Sequence, residues 1–420
     1  MIVWLLVGYM WLYIHRPFEM VAMFEERNLT LWYMIFLTAV WLAGFGTKRI
    51  PRNIFTLALF LYMLVIVVSA LSSPYINVFA SWHLNNWLLN FVFYVILITS
   101  VKTKRDLQII ITGFIIVYFL YMTHSYCLFL LGRAGFSMGI MRLQGAVDRG
   151  ASVNTFATTL VCVLPLLITL LALSKKNWHY LFILGYTLLA VRSVMLSGSR
   201  NAFIMLVALA VLPILFSRYR IYLIPIVFVA LPVGWMVMPE EMQNRYRTIW
   251  DPTVERYHGM RGATSSMEGR FRGFTDGINN WLSRPITGAG PGGHMVASGS
   301  NLGAHNLPGQ VAGELGTLGI IAFLFLFSCF GINHYKNWKN YKYLREKNLD
   351  KEIRYCWWVS IGSMYALAMM GMQGIGLHNA YFYPWVWFGA FLALATTLIQ
   401  ERVDADIRGK LLPSLPNLKS

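Results

Sequence analysis

The sequence predicts an all-α integral membrane protein of about twelve transmembrane helices, with one long loop outside the bilayer. Three observations lead there. Hydrophobic residues fill 57% of 420 positions and charged residues only 13%, where a soluble globular chain carries roughly a quarter charged. Apolar runs recur from end to end at bilayer-crossing length, about 20 residues at 1.5 Å each. A single long hydrophilic stretch, Pro239 to Gly303, interrupts them.

With proline, glycine and charge as punctuation, the runs fall at 1–15, 30–46, 54–72, 79–100, 107–131, 152–174, 178–196, 201–217, 219–238, 305–332, 356–377 and 379–399. The first, Ile2 to Ile14, has no basic segment before it and no A-x-A-like site after it. It is expected to be a helix and not a cleaved leader. Trp32, Trp41, Trp82, Trp178 and Trp281 stand near run ends, as interfacial aromatic belts require. Residues 1–238 thus hold nine expected helices and 239–303 the outer loop, with an amphipathic helix from about Gly269 to Leu282 along the interface. Three more helices follow in 304–399, and 400–420 is a tail. No internal repeat or low-complexity linker is visible. Cys127, Cys162, Cys329 and Cys356 lie in or beside apolar runs without C-x-x-C spacing, which favours small buried hydrophobes over a disulfide or metal framework.

Alternate loops carry Lys48, Arg49 and Arg52; Lys102, Lys104 and Arg105; Lys175 and Lys176; Arg218 and Arg220; the run Lys336 to Arg354; and the tail. Together they hold 21 of the 35 basic residues. The positive-inside rule makes that side cytoplasmic and puts both termini there. Much of the +17 net charge is then topology and implies no nucleic-acid partner. All 12 lysines lie on that side. The other 14 basic residues are Arg16, Arg27, Arg133, Arg142, Arg149, Arg192, Arg200, Arg245, Arg247, Arg256, Arg261, Arg270, Arg272 and Arg284. Arginine presents a planar, always-charged fork that grips phosphate in two places. An outward-facing site for a phosphorylated ligand follows; the alternative is a bias against lysine outside combined with structural ion pairs.

Three stretches could carry chemistry. Ser197-Gly198-Ser199-Arg200 ends one run and opens the next, placing Arg200 near membrane depth, where charges are usually paired or functional. In the long loop, Arg270 and Arg272 precede Trp281 and Pro285-Ile286-Thr287-Gly288-Ala289-Gly290, and glycines 288–293 are flexible enough to offer backbone N–H groups to an anion. Then His305-Asn306 starts a helix that carries Glu314-Leu315-Gly316-Thr317-Leu318-Gly319. A histidine there can take a proton from a hydroxyl near neutral pH. His378-Asn379, on the same face, shows that a His-Asn pair alone proves nothing. No metal-ligand spacing is apparent.

Between residues 197 and 319 this series resembles the O-antigen ligase and O-antigen polymerase superfamily (WaaL/Wzy type). The matching parts are Ser197 to Arg200, Arg270 before Trp281 and the Pro285–Gly290 segment, His305-Asn306, and Glu314-x-Gly316-x-x-Gly319. The resemblance implies a GT-C-like fold and a metal-independent, inverting glycosyltransferase without cofactor. Its donor would be a glycan on undecaprenyl diphosphate, and its acceptor lipid A–core, a growing glycan or a protein, at the periplasmic face of a bacterial inner membrane. Under that reading Arg200 and Arg270 hold the diphosphate, and His305 orients or deprotonates the acceptor. Arg272, Asn306 and Glu314 join Arg200 and Arg270 as candidate substrate-binding residues. The rival classes are a lipid-linked glycan flippase and a cell-wall polymerase of the RodA type.

Overall fold

The computed structural model describes the chain apart from residues 21–22, 24–27, 45–50, 76–77, 134, 138, 147–151, 174–176, 217–219, 252, 255–262, 301–302 and 410–420. Arg27, Arg149, Arg256 and Arg261, and on the lysine-rich side Lys48, Arg49, Lys175, Lys176 and Arg218, lie outside the described residues. Among the described residues the fold is all-α apart from one hairpin, β1 (Gly135–Ser137) with β2 (Ile140–Arg142).

The helices of the first half are α1 (Ile2–Ile14), α2 (Leu29–Ala43), α3 (Ile54–Ser72), α4 (Val78–Ser100), α5 (Lys104–Leu130), α6 (Val153–Val163), α7 (Ile168–Leu173), α8 (Asn177–Ser197), α9 (Arg200–Phe216) and α10 (Arg220–Met236). The hydrophilic stretch 239–303 supplies α11 (Glu240–Arg247), α12 (Ala263–Ser283) and α13 (His294–Ser298). Three long helices finish the chain: α14 (Leu307–Glu346), α15 (Arg354–Gly376) and α16 (Tyr383–Ile407). A helix lies on each of the twelve expected runs. By length and composition five stretches among the described residues could cross a membrane: α3, α5, α6 continued into α7, α8 and α14. There are six if the bent pair α10 and α11 counts as one.

Sequence chemistry sets several of these boundaries. Thr103 and Asp106 form a reciprocal capping box that starts α5, and the Ser152 hydroxyl accepts from Thr155 N–H to start α6. Two ends differ from expectation. α14 was expected to stop at 332 and runs to Glu346, and α16 was expected to stop at 399 and runs to Ile407. Hydropathy finds where a run stops being apolar, whereas the helices continue through polar helix formers, Lys336, Lys339, Lys342 and Arg345 in α14 and Gln400, Glu401 and Arg402 in α16.

α16 is the core. Trp385, Val386, Trp387, Phe388, Phe391 and Leu394 are all buried, so it is apolar on every side and surrounded by other helices. The indole of Trp387 donates to Asn90 Oδ1 at 3.0 Å, satisfying its one polar atom. α3 is two-faced in the manner of a peripheral membrane helix. Phe55, Leu59, Tyr62 and Ile66 are buried, while Leu57, Phe60, Leu64 and Val68 are exposed at similar spacing. An apolar outward stripe of that length suits lipid, not water.

The amphipathic helix expected at the interface is α12, longer than the expected 269–282, and it is docked rather than free. A Cβ on Gly273 would sit 2.4 Å from the Ala304 carbonyl oxygen, and one on Gly277 2.4 Å from that of Gly309. A Cβ on Gly313 would meet Gly277 Cα at 3.0 Å. Gly273-x-x-x-Gly277 on α12 therefore packs backbone to backbone on Gly309-x-x-x-Gly313 of α14, the close approach that small residues four apart allow.

Candidate active site

The first structural feature at this end of the bundle is a broken helix. Gly316, inside α14, has φ 64° and ψ −159°, a conformation only glycine adopts without strain. The break frees backbone groups, and residues 285–290 fill them. Ala289 N–H donates to the Gly313 carbonyl at 2.9 Å and Gly290 N–H to that of Glu314 at 2.8 Å. In return Thr317 N–H donates to Pro285 at 2.8 Å and Leu318 N–H to Ile286 at 3.2 Å. Gly288 (φ 67°) lies so close that a Cβ there would be 2.5 Å from the Glu314 carbonyl carbon. Ser69 of α3 completes the knot, its hydroxyl lying 2.7 Å from the Thr287 carbonyl and 2.8 Å from that of Glu314. The Pro285–Gly290 and Glu314–Gly319 motifs are thus one structural unit.

This arrangement revises the reading of the glycine cluster. Backbone N–H groups at this end of the loop face a carboxyl of the protein itself: those of Gly292 and His294 hydrogen-bond the buried Glu314 side chain. Gln310 Nε2 donates to the same carboxyl at 3.4 Å. Glu314 braces the loop against the helix top.

The second feature is the corner between α8 and α9. Gly198, at φ 60°, makes the turn. Arg142 Nε donates to the Ser197 carbonyl at 2.7 Å and Arg245 Nε to that of Gly198 at 2.7 Å. Both guanidinium groups therefore satisfy carbonyls that a helix C-terminus leaves open and oppose its negative dipole end. Arg200 begins α9 beside them, its Nη1 3.4 Å from Thr248 Oγ1. Arg270, on α12, faces the same group. Burial, then the Arg200 charge, lowers the Arg270 pKa; burial, then Arg245, lowers that of Arg142, with a smaller contribution from Arg200. Four arginines from β2, α9, α11 and α12 thus converge. Among the described residues neither Arg142 nor Arg270 forms an ion pair. Arg272 is exposed; two residues from Arg270, about 200° around the helix, it points away.

The third feature is a histidine group. His305 precedes α14 with φ 50°, a strained value for a non-glycine residue and one that often marks a functional site. The helix is capped by the next residue: Asn306 Oδ1 accepts from Gly309 N–H at 2.7 Å, and its Nδ2 donates to Ala304 at 2.6 Å and Arg270 at 3.4 Å, both carbonyls. Asn306 is committed to the cap and to tethering α12. The His305 ring lies edge-on to that of His378, centroids 5.4 Å apart. His294, 1% exposed, is close to both, and among the described residues neither of its ring nitrogens has a hydrogen-bond partner. Burial, then Arg270, lowers the His305 pKa; burial, then His305 and His294, lowers that of His378 to about 4.

The structure therefore brings Arg200, Arg270 and His305 together, places Asn306 at the α14 cap and Glu314 buried against the 285–294 segment, and leaves Arg272 exposed. Sequence reasoning missed Arg142, Arg245, His294 and His378 as neighbours of that group. The arginine-only outer face included the first two, but no spacing separated them from the rest.

A comparison with known families bears on this geometry. Residues 185–324 match the O-antigen ligase family. The matched segment is about a third of the chain and includes Arg200, Arg245, Arg270, His294, His305 and Glu314, so the match and the geometry select the same place. It supports an O-antigen ligase/polymerase-type membrane enzyme that transfers glycosyl groups. Arg142 and His378 fall outside the matched segment. No curated protein matches the chain. Among the described residues no group of three or more His, Cys, Asp or Glu could hold a metal ion.

Proposed function

We propose that this protein is a glycosyltransferase of the O-antigen ligase type. It moves a glycan from undecaprenyl diphosphate to an acceptor hydroxyl, with lipid A–core as the acceptor and the growing glycan or a protein as alternatives. The observation that carries the proposal is the convergence of four arginines beside His305, with no ion pair to Arg142 or Arg270 among the described residues. Gathered like charges are costly unless a counter-charge arrives, and a diphosphate supplies it.

In the reaction the acceptor oxygen attacks the anomeric carbon as the bond to the diphosphate breaks. The bonding pair leaves on the diphosphate, where Arg200 and Arg270 stabilise the growing charge. The acceptor proton passes to the free nitrogen of His305. Attack opposite the leaving group inverts the anomeric centre, and the arginines do the neutralising that a metal would otherwise do. A flippase would place such groups near mid-membrane in paired repeats; here they gather at one end of the bundle. Purified protein in liposomes, given lipid-linked donor and EDTA, should transfer glycan to lipid A–core. Donor crossing the bilayer without any transfer would establish the flippase instead.

The site is assigned to the periplasmic side of the inner membrane, with all twelve runs spanning and both termini inside. α14 supports this: it starts at the site, and its part beyond the Gly316 break, about 45 Å long, carries Lys336, Lys339 and Lys342 toward its far end, the cationic face that the positive-inside rule puts in the cytoplasm. In a Cys127→Ser background, an impermeant thiol reagent on intact cells should label Thr275→Cys and spare Glu346→Cys. The reverse pattern would invert the topology and remove the site from the periplasm.

A further inference from the structure

His305 stands on a strained backbone, and among the described residues no hydrogen bond holds its ring. The Asn306 cap fixes the chain beside it, not the imidazole. An acceptor-facing base needs a fixed rotamer, because a misplaced donor or acceptor costs rate steeply. Among the described residues one ring packs on it: that of His378, edge-on, with centroids at 5.4 Å and planes at 60°.

His378 is on an unusually rigid mount for a loop. Its neighbour Asn379 is fully buried and donates to the Met370 carbonyl at 2.9 Å and to Gln373 Oε1 at 3.0 Å. The Asn379 carbonyl accepts from the Trp385 indole at 2.9 Å, and Ala380 N–H donates to Gln310 Oε1 at 2.9 Å. The loop is thereby pinned to α15, α16 and α14 at once. Residue 303 is glycine where the chain passes over the His378 ring; a Cβ there would sit 3.4 Å from Cε1.

We propose that His378 is a positioning residue for His305: its ring, carried on the pinned 378–380 backbone and packed beneath Gly303, sets by edge-on contact the orientation in which the His305 imidazole meets the acceptor hydroxyl. This rests on the reading of His305 as the acceptor-facing group. The charged and titratable groups around the pair are Arg270 from α12 and His294 from α13, with Arg200 behind Arg270, Asp276 facing His294 and His83 of α4 facing His378. The rings cannot both carry a proton so close to Arg270 without strong repulsion. A neutral His378 therefore also leaves His305 free to take the acceptor proton.

The test compares His378→Ala with His378→Phe in the reconstituted transfer assay. The alanine variant should lose at least tenfold in kcat with donor affinity within twofold of wild type. The acid limb of its kcat profile should move to higher pH, because water reaches the uncovered His305. The phenylalanine variant keeps the ring and should restore both. If the alanine variant does not assemble in the membrane, His378→Leu replaces it with the same expected losses. Wild-type kcat and an unmoved acid limb in His378→Ala would overturn the proposal, as would a phenylalanine variant as impaired as the alanine one. Weakened donor binding in both variants would make His378 a phosphate ligand, also against it. A wild-type profile without an acid limb, or normal transfer by His305→Ala, would overturn the reading of His305 itself and take this one with it.

Discussion

Arg270→Lys should lower transfer by about 2–4 kcal/mol in activation free energy, roughly 30- to 1,000-fold, the range for losing one positioned donor to a developing anion. The substitution keeps the positive charge and loses the planar fork, so it isolates bidentate geometry from simple attraction. Position 270 suits the test because its side chain is not used to hold the fold. Among the described residues its only packing bond is through the backbone carbonyl, to Asn306. Arg142 and Arg245 would be poor choices: both clamp carbonyls at the end of α8, and replacing either disturbs the corner that carries Arg200. Arg200→Lys should resemble Arg270→Lys. Arg272→Lys, on the exposed side of the same helix, should transfer at nearly the wild-type rate. The measurement is kcat and donor affinity at matched expression. Wild-type turnover in both Arg270→Lys and Arg200→Lys would remove the arginine forks from the mechanism.

The part of this molecule that could be read from sequence is the part set by local chemistry. Bilayer-length apolar runs are long and bounded by charge, so a helix falls on each of them. The pairing of far-apart segments was beyond reach. Gly316 stands in an apolar helical run between Leu315 and Thr317 and reads there as a tolerated helix glycine. It is a break only because residues 285–290 lie against it. For the same reason the glycines at 288–293 read as a site for an external anion, whereas Glu314, brought there by the break, takes two of their neighbourhood's N–H groups. His378 was set aside because a His-Asn pair has no meaning alone. Its importance comes from the fold of α15 and α16, which carries it to the ring of His305. The arginine excess on the expected outer face reads as a phosphate signal. Its division into forks facing the site and clamps on α8 does not read from sequence, since both uses need the same residue type.

His305→Asn should abolish transfer, by about 10²- to 10⁴-fold if the loss is that of a general base, while leaving donor binding intact. Asparagine is the informative replacement because position 305 has φ 50°. Asn tolerates the left-handed region better than most residues, so the chain keeps its course into the Asn306 cap while the proton acceptor is gone. Alanine removes the base too, but lacks the short polar side chain that lets asparagine settle in the left-handed region. The wild-type pH profile gives a second reading. Burial, and then the neighbouring Arg270 charge, lowers the His305 pKa. The neutral ring is the active form, so it persists below the ordinary histidine value of about 6.5. The acid limb of kcat/KM, which reports the unoccupied enzyme, should accordingly lie under that value and vanish in His305→Asn. Diphosphate is a good leaving group, and an acceptor hydroxyl can attack with little deprotonation. In that case His305 supplies orientation alone, and the loss falls at the lower end of the range. Donor binding that collapses while turnover at saturation survives would make His305 a phosphate ligand. Transfer at the wild-type rate by a correctly assembled His305→Asn would end its assignment to the reaction.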